Sequence, residues 1–391
     1  MNMNTKEKDL KFIMHTYGRY DVTLKSGKGV TAYDEDGKKY IDVSSGIGVN
    51  SLGYCDDGWV KAVSAQAGTI QHMSNYYYCD QAADLAEKLC TFSGLSKVCF
   101  GNSGAEANEC AIKIARKYSF DKYGEGRNEI ITLRDSFHGR TVTTLSATGQ
   151  DVFHNYFFPF TGGFKFVKAN DIDALKEAVT DKTCAVMLEV IQGEGGVNIL
   201  DKDYVKELAA FCAERDILVI CDEVQTGIGR TGKLYAFQNY DILPDLVTSA
   251  KGLGGGLPIG VCLCSEKLKD VMGPSSHGST FGANPVVCAG ANYVIDKIAD
   301  EKFLNDVEEK GAYLEEKLRK IEQVKNVRRM GLMVGIEIDG DAHDVALKCV
   351  ENGLLIITAK NLLRMLPPLV ITEEEIDEAV NILEKTLKEI N

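Results

Sequence analysis

Positive charge is what this 391-residue chain lacks most: 44 Lys and Arg stand against 57 Asp and Glu, a formal net charge of −13. That balance excludes non-specific nucleic-acid binding and a basic membrane-surface patch, while leaving single arginines free to hold anionic ligands. No apolar run reaches membrane length, and the opening residues Met1–Lys8 contain no apolar signal core. The expectation is a soluble, cytoplasmic protein with no membrane partner. The twelve cysteines include no C-x-x-C pair and no Cys/His group at zinc spacing, so no metal is expected. Several of them (Cys99, Cys184, Cys221, Cys262, Cys264) lie inside apolar runs. They read as buried thiols in a reducing compartment rather than as a disulfide framework. Internal repeats and low-complexity tracts are also missing.

What is present is the composition of an ordinary globular protein, 45% apolar and 26% charged, long enough for one large and one small domain. Residues 1–55 hold a short helical candidate near Lys8–Met14. They also hold two β-rich runs, Val30–Tyr33 and Lys39–Val43, joined by the acidic, Gly-ended turn Asp34–Gly37. That hairpin signal fits a small domain better than a parallel sheet. From about Trp59, helical periodicity alternates with short apolar strands, the mark of an α/β unit. After Asn284 two long helical patterns lead to short strands and a last helix at Glu373–Lys388, a second α+β unit. The division expected is 1–55 and 286–391 for a small domain around a large one at 56–285.

The chemistry concentrates at strand ends. The runs Ile217–Cys221 and Leu246–Ala250 stop abruptly at Asp222 and Lys251. Neighbouring parallel strands present their carboxyl ends on one edge, where α/β proteins bind ligands. An acid and an amine there suit pyridoxal phosphate, which needs a lysine at its aldehyde and an acid at its ring nitrogen. A structural ion pair reads equally well from these two residues alone. Upstream, Lys97–Phe100 leads through Gly101–Glu109 into a helix, and Gly104 and Ala105 let backbone N–H groups approach a phosphate. A plain N-capped helix explains the same residues. Past the strand Glu129–Leu133, Phe137 offers a ring face and Arg140 a carboxylate clamp. Core packing and a surface ion pair are their bland alternatives, and His138, His72 and His154 read as structural. Glu194 sits on the bend Gln192–Gly196. The glycines after Lys251 precede a strand instead of a helix, so they form no dinucleotide fingerprint. Ser279 and Thr280 offer hydroxyls to an oxyanion. Arg364, in the apolar stretch Leu362–Pro368, demands an anionic partner. Tyr17, before the hairpin, is a minor candidate for substrate contact.

Taken together, Gly101–Glu109, Phe137–Thr141, Gln192–Gly196, Asp222–Lys233, Ser249–Gly256 and Gly278–Asn284 resemble, in order, the motifs of class III (ornithine/acetylornithine-type) aminotransferases. The resemblance implies the α/β architecture of fold type I, a large domain with a mostly parallel seven-stranded sheet plus a small α+β domain. It implies pyridoxal 5'-phosphate on Lys251, with Asp222 at the ring nitrogen. Phe137 and Val224 would pack on the ring, Glu223 and Gln225 would complete the cofactor shell, and Gly104, Ala105 and Thr280 would hold the phosphate. Arg140, Ser279 and Tyr17 would bind substrate, and Arg364 would alternate between Glu194 and an α-carboxylate. A homodimer is implied, with Ser279 and Thr280 serving the partner's site. So is transfer of the δ-amino group of N2-acetylornithine to 2-oxoglutarate. Succinylornithine, ornithine and 4-aminobutyrate are alternative donors, and a mutase or racemase is the rival chemistry on the same scaffold. Two stretches depart from the family pattern, Gly53–Asp57 and Glu189–Val190, and neither is expected to touch the cofactor.

Overall fold

The computed structural model describes residues 3–390. Its centre is a seven-stranded sheet. In spatial order the strands are Lys97–Gly101, Gly260–Cys264, Leu246–Ser249, Leu218–Asp222, Thr183–Leu188, Glu129–Leu133 and Phe164–Val167. All pair in parallel except Gly260–Cys264, which runs antiparallel to both neighbours. Every residue of Thr183–Leu188 and Leu218–Asp222 is buried. Alternate side chains of these strands enter two separate apolar cores. Val186, Leu188, Val219 and Cys221 join the larger one; Ala185, Met187, Leu218 and Ile220 join a second under the helix Gly104–Tyr123. Burial on both faces explains why the strands read as unbroken apolar runs.

Two small sheets flank this body. Leu24–Lys28, Thr31–Asp34 and Lys39–Asp42 form an antiparallel meander, and Leu354–Leu355 adds to it in parallel, setting Ile41 opposite Leu354. The second small sheet orders Val324–Met330, Met333–Ile338, Leu362–Met365 and Ile357–Ala359. The first of these strands is absent from the sequence expectations. As an edge strand with mostly half-exposed side chains, it carries the polar text Lys325-Asn326-Val327-Arg328-Arg329. The helix Pro285–Ile298 packs on Asp57–Ala67 and Asp80–Ser93. Among the described residues no helix is long and apolar enough to cross a membrane.

Candidate active site

Strands Leu218–Asp222 and Leu246–Ser249 are parallel neighbours, with Asp222 opposite Thr248, so Asp222 and Lys251 emerge on the same sheet edge. Lys251 begins a short 3-10 turn, Lys251–Gly254, at φ 42°. A non-glycine residue held left-handed is strained, and such strain gathers at working sites. A cavity of ≈ 480 Å³ opens here, lined by Gly104, Ala105, Phe137, Arg140, Glu194, Asp222, Val224, Gln225 and Lys251 among others. Among the described residues no hydrogen bond or ion pair joins Asp222 to Lys251, which removes the structural ion-pair alternative.

Asp222 is instead fixed from behind. Its Oδ2 accepts from Asn108 Nδ2 and from His138 Nδ1, both at 2.8 Å, and its Oδ1 accepts from the Val224 N–H at 3.0 Å. Thr248 donates to Asn108 Oδ1 at 2.6 Å, and Asn108 also donates to the His138 carbonyl at 2.7 Å, so amide and imidazole are themselves held. Burial pushes the Lys251 amine below its ordinary value of 10.5; Glu194, Asp222 and Glu189 oppose that, and Arg364 reinforces it. A lysine brought toward neutrality is a nucleophile and a base.

The helix Gly104–Tyr123 starts at the cavity. Its N-cap, Ser103, accepts the Glu106 N–H at 3.2 Å, leaving the first-turn N–H groups of Gly104 and Ala105 without intrahelical partners. A Cβ on Gly104 would stand 2.7 Å from Val224 Cγ1, so only glycine lets the helix start so close to the valine. This cradle was tested against pyridoxal phosphate on its donor chemistry. Free N–H groups at a helix N-terminus match a phosphate, a buried acid with an anchored back matches the ring nitrogen, and an amine lies across the same space. The residues fit the group.

Two arginines differ in state. Arg364 is 2% exposed and donates through Nη1 to Glu194 Oε1 at 2.8 Å and to Gln225 Oε1 at 3.0 Å. Burial would raise the Glu194 carboxyl, but the Arg364 guanidinium prevails and holds it below the usual range. A Cβ on Gly193 would stand 1.9 Å from Gln225 Oε1, so the bend carrying Glu194 needs glycine to close on that glutamine. Arg140 is exposed, and its guanidinium lies over Phe153 at 4.1 Å and Phe137 at 5.6 Å. No carboxylate pairs with it among the described residues.

Not every expected residue is at the cavity. Glu223 corrects the cofactor-shell expectation. Its Oε2 accepts from Thr226 Oγ1 at 2.5 Å and the Ala236 N–H at 3.0 Å, and its Oε1 from the Phe237 N–H at 2.7 Å. It closes a loop on the far side of the strand end, and burial raises its carboxyl to about 7. Tyr17 is 76% exposed beside a different hollow with Arg19 and Asp9. Ser279 accepts from Asn102 Nδ2 at 3.0 Å, and Thr280 is exposed; neither lines the cavity of its own chain.

Three residues at the site escaped sequence reasoning or were misassigned by it. His138, read as structural, bonds Asp222 directly; its place right after Phe137 was the available signal. Asn108 lay inside a recognised motif without a role. Glu189, expected to stand clear of the cofactor contacts, lines the cavity. Its Oε1 accepts the Phe137 N–H at 2.8 Å and its Oε2 the Gly193 N–H at 3.4 Å. Burial, then the Asp222 carboxylate, holds its carboxyl well above the ordinary range. Its signal was the one that found Asp222, an apolar strand ending in an acid, on the neighbouring parallel strand.

Comparison with known proteins agrees with this geometry. The model of the aminotransferase class-III family matches residues 13–387. Acetylornithine aminotransferase of Haemophilus ducreyi is 50% identical over 388 residues, covering 98% of each chain. Among solved structures, ornithine aminotransferase of Toxoplasma gondii superposes with TM-score 0.93 at 33% identity, over 98% of this chain and 94% of that one. N-acetylornithine aminotransferase of Stenotrophomonas maltophilia gives 0.85 at 34% identity, over 96% and 98%.

Proposed function

The chain belongs to the class III aminotransferases, enzymes that use pyridoxal phosphate, and from that premise we propose that it moves the δ-amino group of N2-acetylornithine to 2-oxoglutarate. The observation that carries the donor class is the Arg364–Glu194 pair at 2.8 Å beside an unpaired Arg140. A donor that enters amine-first needs no second cation at the reacting end, and Glu194 keeps Arg364 neutralised. Arg140 then holds the α-carboxylate bidentately. When 2-oxoglutarate follows with a carboxylate at each end, Glu194 turns aside and Arg364 binds the second one. The acetyl group is assigned from the relatives, which act on acetylornithine by name.

Lys251, Asp222, Phe137, Val224, Gln225, Gly104 and Ala105 hold the cofactor in this reading. When bound, the cofactor supplies a ring that withdraws electrons from the substrate carbon. Lys251, depressed by burial, would take the proton from the carbon bearing the departing amine, deliver it to the cofactor carbon in the same half-reaction, and reverse that transfer in the second. Asp222 stays aimed at the ring nitrogen because His138, Asn108 and the Val224 N–H fix both its oxygens. The reading extends to a homodimer in which Ser279 and Thr280 reach the partner's phosphate site. Exposed aromatic side chains at Tyr76, Tyr77, Tyr78 and Phe281 support a covering partner. Twelve free cysteines support a reducing, cytoplasmic setting.

The test is the loss of the cofactor's visible absorbance after adding each amine without a keto acid. N2-acetylornithine is expected to act fastest; faster loss with succinylornithine, ornithine or 4-aminobutyrate reassigns the donor. Glu194→Ala exposes Arg364, and an unchanged ratio of the two half-reaction rates sinks the alternating-arginine reading. A relative loss of roughly 10- to 100-fold for the amine half-reaction is expected, the worth of a charge-assisted hydrogen bond.

A further inference from the structure

One cluster of metal-ligating side chains lies outside the cavity and has no part in the transamination. Cys99 sits on the strand Lys97–Gly101, Cys110 in the helix Gly104–Tyr123, and His277 in the segment between the strand Gly260–Cys264 and the helix Pro285–Ile298. One ligand atom from each of the three lies within 4.8 Å of the other two. A further thiol stands behind them. Cys262 pairs with Cys99 across the sheet. Packing of small apolar thiols accounts for Cys110 and Cys262, which belong to the core beneath the helix. It does not account for an imidazole brought from a separate segment onto Cys99, which is only partly buried.

We propose that Cys99, Cys110 and His277 form a binding site for one zinc ion per chain, with two thiolates and an imidazole as protein ligands and water in the fourth position. The donor set suits a borderline-soft ion and not magnesium or calcium, which take oxygen. Zinc–sulfur and zinc–nitrogen bonds of roughly 2.3 and 2.0 Å place tetrahedral donors about 3.5 to 3.8 Å apart, so closure from within 4.8 Å needs at most about 1.3 Å of approach between any two donors. Each thiol gives its proton to solvent as the ion binds. Lys113 Nζ stands 3.0 Å from His277 Nδ1 and donates to the Ser276 carbonyl at 2.8 Å. The ion would take over the place that Lys113 holds at the ring, with the lysine retaining the Ser276 carbonyl.

The site ties three segments that converge on the start of the phosphate-facing helix. His277 precedes by two residues the serine whose Oγ accepts from Asn102. None of the three proposed ligands lines the cofactor cavity, so the inference does not depend on the donor assignment.

The experiment uses the cofactor-loaded enzyme, reduced and oxygen-free, titrated with Zn2+ and then passed through a desalting column. One zinc per chain by elemental analysis is expected, together with a rise in the unfolding temperature. Co2+ at the same site should show a sulfur-to-metal charge-transfer band. Cys110→Ser should weaken that band, since one of the two thiolates is lost, and His277→Ala should weaken retention by at least about 10-fold, the least that even outer-shell changes cost. Because Cys110 is buried and its variant can misfold, His277→Ala and Cys99→Ser carry the test if it does. Cys55→Ser, at an exposed thiol elsewhere, should change nothing. Failure to retain zinc after desalting, or retention unchanged in His277→Ala and Cys99→Ser, overturns the proposal.

Discussion

At the scale of single residues, Asp222 depends on donors that touch no ligand. His138→Ala removes one of its three hydrogen bonds, a charge-assisted one. The expected result is a cofactor dissociation constant raised by roughly 10- to 100-fold, with His138→Gln recovering part of it, measured by equilibrium titration of the apoenzyme. An unchanged constant would mean that Asn108 and the Val224 N–H suffice. Lys251 offers a test of sign. Burial depresses its amine, so between the depressed value and 10.5 the native, cofactor-free protein binds fewer protons here than the unfolded chain. Stability of that form therefore rises with pH across the window and levels off above it. Glu194 is the first charge opposing the depression, so Glu194→Gln should lower the amine further. Labelling Lys251 with an amine-selective reagent across pH reads both effects; a midpoint at or above 10.5 contradicts the first.

At the scale of elements, the approach of the helix Gly104–Tyr123 to Val224 sets the width of the phosphate cradle. Gly104→Ala forces its Cβ against a stiff β-branched side chain, and the helix start must retreat. Overpacking of this kind costs roughly 1 to 3 kcal/mol, so cofactor retention should fall about 5- to 100-fold. Adding Val224→Ala to the same chain should recover much of the loss, because the obstruction is gone. A double variant no better than the product of the single ones argues that the two residues act apart. This scale also shows what the sequence makes legible. Apolar runs ending in Asp222 and Lys251, and the small-residue turn before Gly104, announce strand ends and a helix start because burial and N–H geometry leave local marks. The edge strand Val324–Met330 leaves none, since only one side of it is covered and its polar residues obscure the alternation. Glu223 and Glu189 show the remaining limit. Both are acids at the end of a buried strand, and which way each turns depends on distant donors, the 236–237 N–H groups for one and Phe137 and Gly193 for the other. The thiol–imidazole group is invisible for a similar reason: its ligands lie 11 and 167 positions apart along the chain.

At the scale of the whole molecule, the proposed dimer makes each site a product of two chains. Mixed Lys251→Ala and Thr280→Ala subunits provide the check. Each homodimer should be inactive or nearly so, while a heterodimer joins one intact Lys251 with one intact Thr280. Refolding equal amounts together should restore about a quarter of the normal activity, half the dimers having one good site of two. If mixing restores nothing, Thr280 serves its own chain or no site at all.

The pairing of Ile41 with Leu354 has a consequence for the chain while it is being made. The hairpin at residues 31–42 emerges from the ribosome early, yet its neighbouring strand is 313 positions further on. At translation speeds of about 5 to 20 residues per second, that sheet edge waits on the order of 15 to 60 s for its partner. The wait is shorter in the central sheet, whose last strand, Gly260–Cys264, pairs Gly260 with Gly101, 159 positions earlier. Until its partner arrives, the lysines at positions 38 and 39 on the hairpin, with those at 25 and 28 on the strand before it, oppose pairing with other chains.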